Sequence, residues 1–357
     1  MGNILKKILL TGGGTAGHVT PNIALVPVLR EHGFTVDYIG TRKGIEFELV
    51  NREGIRFHSV CAGKLRRYFD LKNLTDIFRI NVGFLQAVLQ ILKVKPDVVF
   101  SKGGFVSCPV VWAAWLLGKP VVIHESDMTP GLANRLSLPF ARKICYSFPE
   151  TVKYLKSGKG VHTGIPIRKS LFDGNASEGR KICGFDNTKP VIMIIGGSQG
   201  SQIVNAAIRE SLPILLDEFN VCHICGKGNM AENRTGYCQF EYVNTELAHL
   251  FAMADVVVSR SGATTLFELL ALRKPAVLIP LASNASRGDQ ILNAESFEQQ
   301  GFSHVLHQSE LSSDTLVSAL SAAFNDRQKM VDAMAKSNVT DGVAPVIDVI
   351  ESVIKNK

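Results

Sequence analysis

The sequence predicts an α/β protein of two Rossmann-like domains, each a parallel sheet with helices on both faces. Short apolar runs ending in glycine or small polar residues alternate with longer helical stretches. The alternation starts afresh near residue 190, again as strand, glycine loop and helix. The length, 357 residues, suits two domains at roughly 150 residues each.

In order, Ile8–Thr11 reads as the first strand and meets Gly12. Thr20 is expected to cap a helix with Pro21 at its first position, and Gly33 to stop it. Strands are expected at Val36–Gly40, Pro96–Ser101, Pro120–His124 and Lys143–Ser147, then at Pro190–Ile195, Asn220–Ile224, Ala254–Ser259 and Pro275–Ile279. The join is placed near Gly164–Leu171, giving domains 1–163 and 164–341. A helical tail over about 342–357 is expected to pack back on the first.

Hydrophobic residues at 46% and charged residues at 20% exclude a disordered chain. No apolar stretch reaches the roughly 20 residues that span a bilayer, and the N-terminal run ends in glycines without a cleavage site. The chain reads as cytoplasmic. Seven scattered cysteines read as reduced thiols; Cys222 and Cys225 lie in a strand and read as packing residues. Net charge +7 and pI near 9.0 favour anionic partners without choosing among them.

Three glycine loops carry the candidate chemistry. Gly12-Gly13-Gly14-Thr15-Ala16-Gly17-His18 differs in spacing from the dinucleotide fingerprint and lacks a P-loop ending. It lets a ligand approach a helix N-terminus closely; the alternative is a tight turn. His18 is a general base or a capping or packing histidine. Lys102-Gly103-Gly104 follows another strand, so with Gly13 and Gly14 it suits a diphosphate acceptor, or it is a turn with an exposed lysine. Gly196–Gly200 opens the second domain, where Ser198 offers a hydroxyl and an amide to phosphate. Arg168 brings a cation or makes a surface ion pair. Ser259–Glu268 turns from strand to helix, and Glu268 could accept from both hydroxyls of a ribose, or simply favour a helix N-terminus. The Gln290 amide suits sugar hydroxyls.

In order, GGGTAGHVTPN, SKGGFVS, IHESDMTPGLANR, GIPIR, GGSQG, SRSGATTLFE and RGDQILNA resemble the MurG family over nearly the whole chain. These enzymes move N-acetylglucosamine (GlcNAc) from UDP-GlcNAc to the N-acetylmuramic acid (MurNAc) of undecaprenyl-pyrophosphoryl-MurNAc-pentapeptide, lipid I. The product is lipid II, for peptidoglycan. The resemblance implies a GT-B fold, two Rossmann-like domains facing across a cleft, and inversion by direct attack of the MurNAc 4-hydroxyl on GlcNAc C1. It implies donor contacts at Thr15, Ala16, Gly17, Asp127, Arg168, Ser198, Gln199, Val243, Arg260, Ala263, Thr264, Glu268 and Gln290. It also implies acceptor-phosphate contacts at Gly13, Gly14, Lys102, Gly103 and Gly104. His18 is the first choice of base and Asp127 the second. Asp127 stands where many relatives carry asparagine, and it cannot donate as the amide does. No cofactor or metal is expected, and no DxD-like pair stands in a suitable loop.

The lipid-borne acceptor implies a peripheral place on the cytoplasmic face of the cell membrane. Arg66, Arg67, Leu74, Phe78 and Arg79 form a basic and apolar stretch that would meet an anionic membrane surface; the alternative is an amphipathic helix facing its own core. UDP-GlcNAc and lipid I are the expected partners, other cell-wall synthesis proteins further ones, and nucleic acid none. The competing readings are a nonhydrolysing UDP-GlcNAc 2-epimerase, a GT-B transferase with a soluble acceptor, and a nucleotide-sugar sensor without turnover.

Overall fold

The structure, a computed structural model, describes residues 6–63, 72–156, 158–196, 200–232, 234–282, 288–338 and 341–355. The chain divides into two compact units, residues 1–168 with 341–357, and residues 169–340.

The first unit runs β1 (Lys6–Thr11), α1 (Thr20–Glu31), β2 (Phe34–Gly40), α2 (Ile45–Arg52), β3 (Arg56–Ser59), α3 (Lys72–Val94), β4 (Val98–Ser101), α4 (Ser107–Leu116), β5 (Val121–Glu125), α5 (Leu132–Ser137), β6 (Lys143–Tyr146) and β7 (Gly160–His162). The second runs α6 (Ala176–Cys183), β8 (Val191–Ile195), α7 (Gln202–Glu218), β9 (Asn220–Ile224), β10 (Tyr237–Phe240), α8 (Leu247–Met253), β11 (Val256–Ser259), α9 (Ala263–Ala271), β12 (Ala276–Leu278), α10 (Asp289–Gln299), β13 (Ser303–Val305) and α11 (Ser313–Ala335). The last helix, α12 (Val343–Lys355), belongs to the first unit.

Both sheets are parallel. The orders are β3-β2-β1-β4-β5-β6-β7 and β10-β9-β8-β11-β12-β13. Each is the doubly wound plan, with its reversal between the first and fourth strands of the unit. The central strands are buried on both faces, which is why they read as continuous apolar runs. The four strands that the sequence reading does not name, β3, β7, β10 and β13, are the four sheet edges. They are short and mix polar with apolar residues, so their pattern is weak.

Helix α1 starts at Thr20 and not after it. Its N-cap is Val19, reached through a 3-10 turn over Ala16–His18, with no side-chain capping bond. Helix α12 is tied down at its start by Asp341, whose carboxylate accepts from the amides of Ile167 (3.1 Å) and Val343 (3.0 Å). Its Val343, Val346, Ile347, Val349, Ile350 and Val353 enter a core with Ile8, Leu10, Leu25 and Phe100. Each contributes roughly 1.5–3 kcal/mol of transfer free energy, an upper bound. All seven cysteines are free thiols; Cys222 and Cys225 are buried at β9.

Candidate functional site

The first crevice lies outside β1 and β4, where the strand order reverses. Its two glycine loops touch: a Cβ on Gly104 would lie 2.2 Å from the Gly13 carbonyl oxygen, and Gly103 and Gly104 both have positive φ. The floor is polar and buried. Tyr38 donates to the Gly12 carbonyl at 2.7 Å, and Asn22 donates to Thr11 O (3.1 Å) and to the Tyr38 hydroxyl (3.2 Å). Glu46 is buried behind the first loop and accepts from the amides of Gly14 (3.2 Å) and Thr41 (3.1 Å). The Gly14 amide is thereby engaged within the protein, so an anion here would meet the remaining amides of the loop.

Lys102, read as an exposed lysine or an acceptor contact, is 1% exposed, and its ammonium donates to the Ser126 hydroxyl. Burial pushes its pKa down to about 8, opposed by Glu125 and Asp127. Glu125 accepts from the amides of Ser126 (2.9 Å), Asp127 (3.1 Å) and Gly131 (3.1 Å) and from the Asn134 side chain (2.8 Å). Burial and Asp127 still push it up to about 7. Glu125 therefore shapes the turn that carries Asp127. Sequence reasoning gave Glu125 no role, although it stands in the HESD motif. His18 is half-buried, with its Nδ1 3.1 Å from the Thr15 hydroxyl.

The second crevice lies outside β8 and β11. Gly196 and Gly200 bracket its glycine loop. Gly197, Ser198 and Gln199 lie outside the described residues. Arg260 spans the base of the crevice, donating to Ile279 O (3.0 Å), Pro280 O (3.3 Å) and the Ser201 hydroxyl (2.7 Å). Helix α9 opens at Ala263 and Thr264 behind Gly262, without a side-chain cap, so its first-turn amides suit an anion or a hydroxyl. Glu268 is buried in the second turn of α9. The Gln290 side chain accepts from the Leu281 amide at 3.1 Å, and its carbonyl accepts from the Ser261 hydroxyl at 2.7 Å, which aligns α10 beside the turn. Val243 is half-buried just after β10, and Arg168 is half-buried at the end of the first unit. Among the described residues no cluster of His, Cys, Asp or Glu could hold a metal ion.

Of the stretch expected to meet a membrane, Arg66 and Arg67 lie outside the described residues, as does the Leu74 side chain; Phe78 and Arg79 are exposed on α3. The apolar face continues further than the sequence reading took it. Phe78, Leu85, Leu89 and Leu92 line one side of α3 and are 52–70% exposed. Ala87, Ile91 and Val94 are buried on the other side. Trp115 and Leu116 extend exposed apolar surface onto the neighbouring α4, with Trp115 edge-on to Phe140 at 5.0 Å. No helix among the described residues is long and apolar enough to cross a membrane.

Two doubly wound domains, each with a glycine loop after its first strand, have the architecture of the GT-B fold. Residues 8–146 match the glycosyltransferase family 28 N-terminal domain, and residues 191–350 match its C-terminal domain. The UDP-N-acetylglucosamine--N-acetylmuramyl-(pentapeptide) pyrophosphoryl-undecaprenol N-acetylglucosamine transferase of Clostridium tetani (strain Massachusetts / E88) is 55% identical over 349 residues, 97% of this chain and 98% of its own. The enzyme of the same name from Clostridium botulinum (strain 657 / Type Ba4) is 52% identical over 98% of this chain and all of its own. A crystal structure of Acinetobacter baumannii MurG shares the fold with a TM-score of 0.74 at 24% identity, covering 97% of this chain and 99% of that one. The chain belongs to glycosyltransferase family 28 and, within it, to the MurG family.

Proposed function

We propose that the protein transfers GlcNAc from UDP-GlcNAc to the 4-hydroxyl of MurNAc in lipid I, giving lipid II. The observation that carries this is 55% identity over nearly the full length to a transferase of that name. The two built crevices supply the chemistry it needs.

UDP is assigned to the second crevice. There the carboxylate of Glu268 would bind the ribose, and Ser198, Gln199, Arg168, Arg260 and the first amides of α9 at Ala263 and Thr264 the diphosphate. Val243 would meet the base and Gln290 the sugar. Charge grows on the departing diphosphate, and donors already oriented stabilise it without reorganising. At the first crevice, Thr15, Ala16 and Gly17 would meet the sugar, and Gly13, Gly14, Lys102, Gly103 and Gly104 would shape the acceptor-phosphate site. His18 is assigned as base: when its Nδ1–H donates to Thr15 Oγ1, Nε2 carries the lone pair that takes the proton. Asp127, on the turn built by Glu125, is the alternative base and a donor contact.

The exposed face of α3 with Trp115 would rest on an anionic leaflet at the cytoplasmic side, as a peripheral anchor with Arg66, Arg67, Leu74 and Arg79 nearby in sequence. Both substrates reach the protein there, and no cofactor is assigned.

The test is UDP release from UDP-GlcNAc with and without a short-chain lipid I analogue. Release only with the analogue, and a disaccharide product, is expected. UDP-ManNAc formed without acceptor would make the protein a 2-epimerase, and binding without turnover a sensor. The L85E/L89E double variant is expected to lose binding to vesicles containing phosphatidylglycerol while holding UDP-GlcNAc normally; unchanged vesicle binding removes α3 from the membrane surface.

A further inference from the structure

Behind the second crevice, α7, β9 and β10 share a buried polar chain away from every residue assigned to substrate. Asn205 Nδ2 donates to the Cys225 carbonyl at 2.8 Å. That carbonyl only accepts, so the amide oxygen of Asn205 faces His223 Nε2, 2.9 Å away, and Nε2 must carry the proton. His223 Nδ1 is then an acceptor, 2.9 Å from the Tyr237 hydroxyl. Tyr237 has one proton, and Nδ1 requires it. Gln239 Oε1, 3.1 Å from the same hydroxyl, is served by the Ala231 amide at 3.1 Å and by Arg209 at 3.4 Å. With the hydroxyl proton on the His223 side, the bonds point one way from Tyr237 through His223 and Asn205 to Cys225 O. Dipoles aligned in series at low dielectric strengthen one another.

The end of the chain meets the glycine loop. Gly200 has φ +73, and a Cβ on it would lie 2.1 Å from Cys225 O. A Cβ on Gly196 would lie 3.0 Å from the amide of Ser201, the N-cap of α7, so one described end of the loop packs on α7 and the other on Cys225. Moving the Cys225 carbonyl moves the surface on which Gly200 rests.

We propose that Asn205, His223 and Tyr237 are positioning residues for a nucleoside diphosphate: they hold the Cys225 carbonyl, and through it Gly200 beside the diphosphate site. The inference rests on the assignment of UDP to the second crevice. None of these residues touches the ligand; they act through Cys225 and Gly200. Neutral His223 matters because its two nitrogens play opposite roles, one donating and one accepting. A glutamine amide offers the same pair, and a leucine neither.

The experiment is calorimetric titration of UDP into the full-length protein and its His223→Leu, His223→Gln and Tyr237→Phe variants, with thermal midpoints measured without UDP. His223→Leu is expected to weaken UDP by about tenfold, Tyr237→Phe by about threefold, and His223→Gln by no more than about twofold. His58→Leu, which breaks the buried pair with Asp37 (2.9 Å) in the first unit, should lower the midpoint and leave UDP affinity alone. Normal UDP affinity in both His223→Leu and Tyr237→Phe would overturn the proposal, as would His223→Gln falling as far as His223→Leu. A wild-type protein that does not bind UDP would remove the donor assignment and this inference together; normal wild-type binding with unaffected variants would remove only the inference.

Discussion

The two sheets share a strand order and bury opposite kinds of chemistry at or behind their crevices. The first encloses ionisable groups: Lys102, which donates to a hydroxyl, and Glu125 and Glu46, which accept from backbone amides. The second encloses a neutral chain of Asn205, His223, Tyr237 and Gln239, anchored by one arginine. Burial moves Lys102 and Glu125 towards neutral pH, and moves His223 down to about 3, where it stays uncharged in any ordinary buffer. The first crevice therefore buries groups that titrate near neutral pH, and the polar chain behind the second stays uncharged there. That division suits a base at the first crevice and a rigid diphosphate cradle at the second.

The largest expected effect separates the crevices. His18→Ala should lower turnover by about 10²–10⁴-fold while leaving UDP affinity near wild type. Glu268→Ala should weaken UDP by about 10–100-fold, as expected for losing hydrogen bonds to a carboxylate. If steady-state kinetics and UDP titration showed both variants losing both properties equally, the two crevices would not have separate roles.

Next comes the charged floor. Glu125→Gln replaces one acceptor oxygen with an NH2 group that faces a donor, and should lower the thermal midpoint by about 5 °C. A midpoint unchanged from wild type would mean the carboxylate is not what holds the turn after β5.

The smallest effect is a pH signature, read by hydrogen exchange of the amides in β5 and β9. Glu125 is raised from 4.5 to about 7, so the folded chain keeps a proton that the unfolded chain has lost, and stability around β5 should fall as pH climbs through that window. Lys102 is lowered from 10.5 to about 8, so stability should return as pH rises between those values. His223 is lowered from 6.5 to about 3, so β9 should gain protection as pH rises to 6.5 and stay level above it. Identical pH profiles for the two strands would erase the contrast.

Sequence pattern carried the interior of both sheets because a strand buried on both faces leaves an unbroken apolar run, as in Val191–Ile195. It also carried the glycine turns, because Gly103, Gly104 and Gly200 occupy positive φ that other residues resist. It missed the edge strands, where one side is open and the apolar signal thins. It missed the floors of the crevices for a different reason. Glu46 reaches Gly14 across 32 residues, and His223 reaches Tyr237 across 14, between neighbouring parallel strands. Neither separation has a local period to read, and buried polar side chains look like surface ones in a list of letters. The α3 face was half legible: its residues are apolar, and only burial shows which of them turn outward.

The return of α12 to the first unit fixes an order of assembly. While the chain is being synthesised, residues 169–340 emerge as one continuous stretch before α12 is made. The first unit emerges earlier, yet its core lacks Val346, Ile347, Ile350 and Val353 until α12 leaves the ribosome. The usual vectorial order, N-terminal domain first, is thereby changed: the first unit is completed only after the whole of the second has been made.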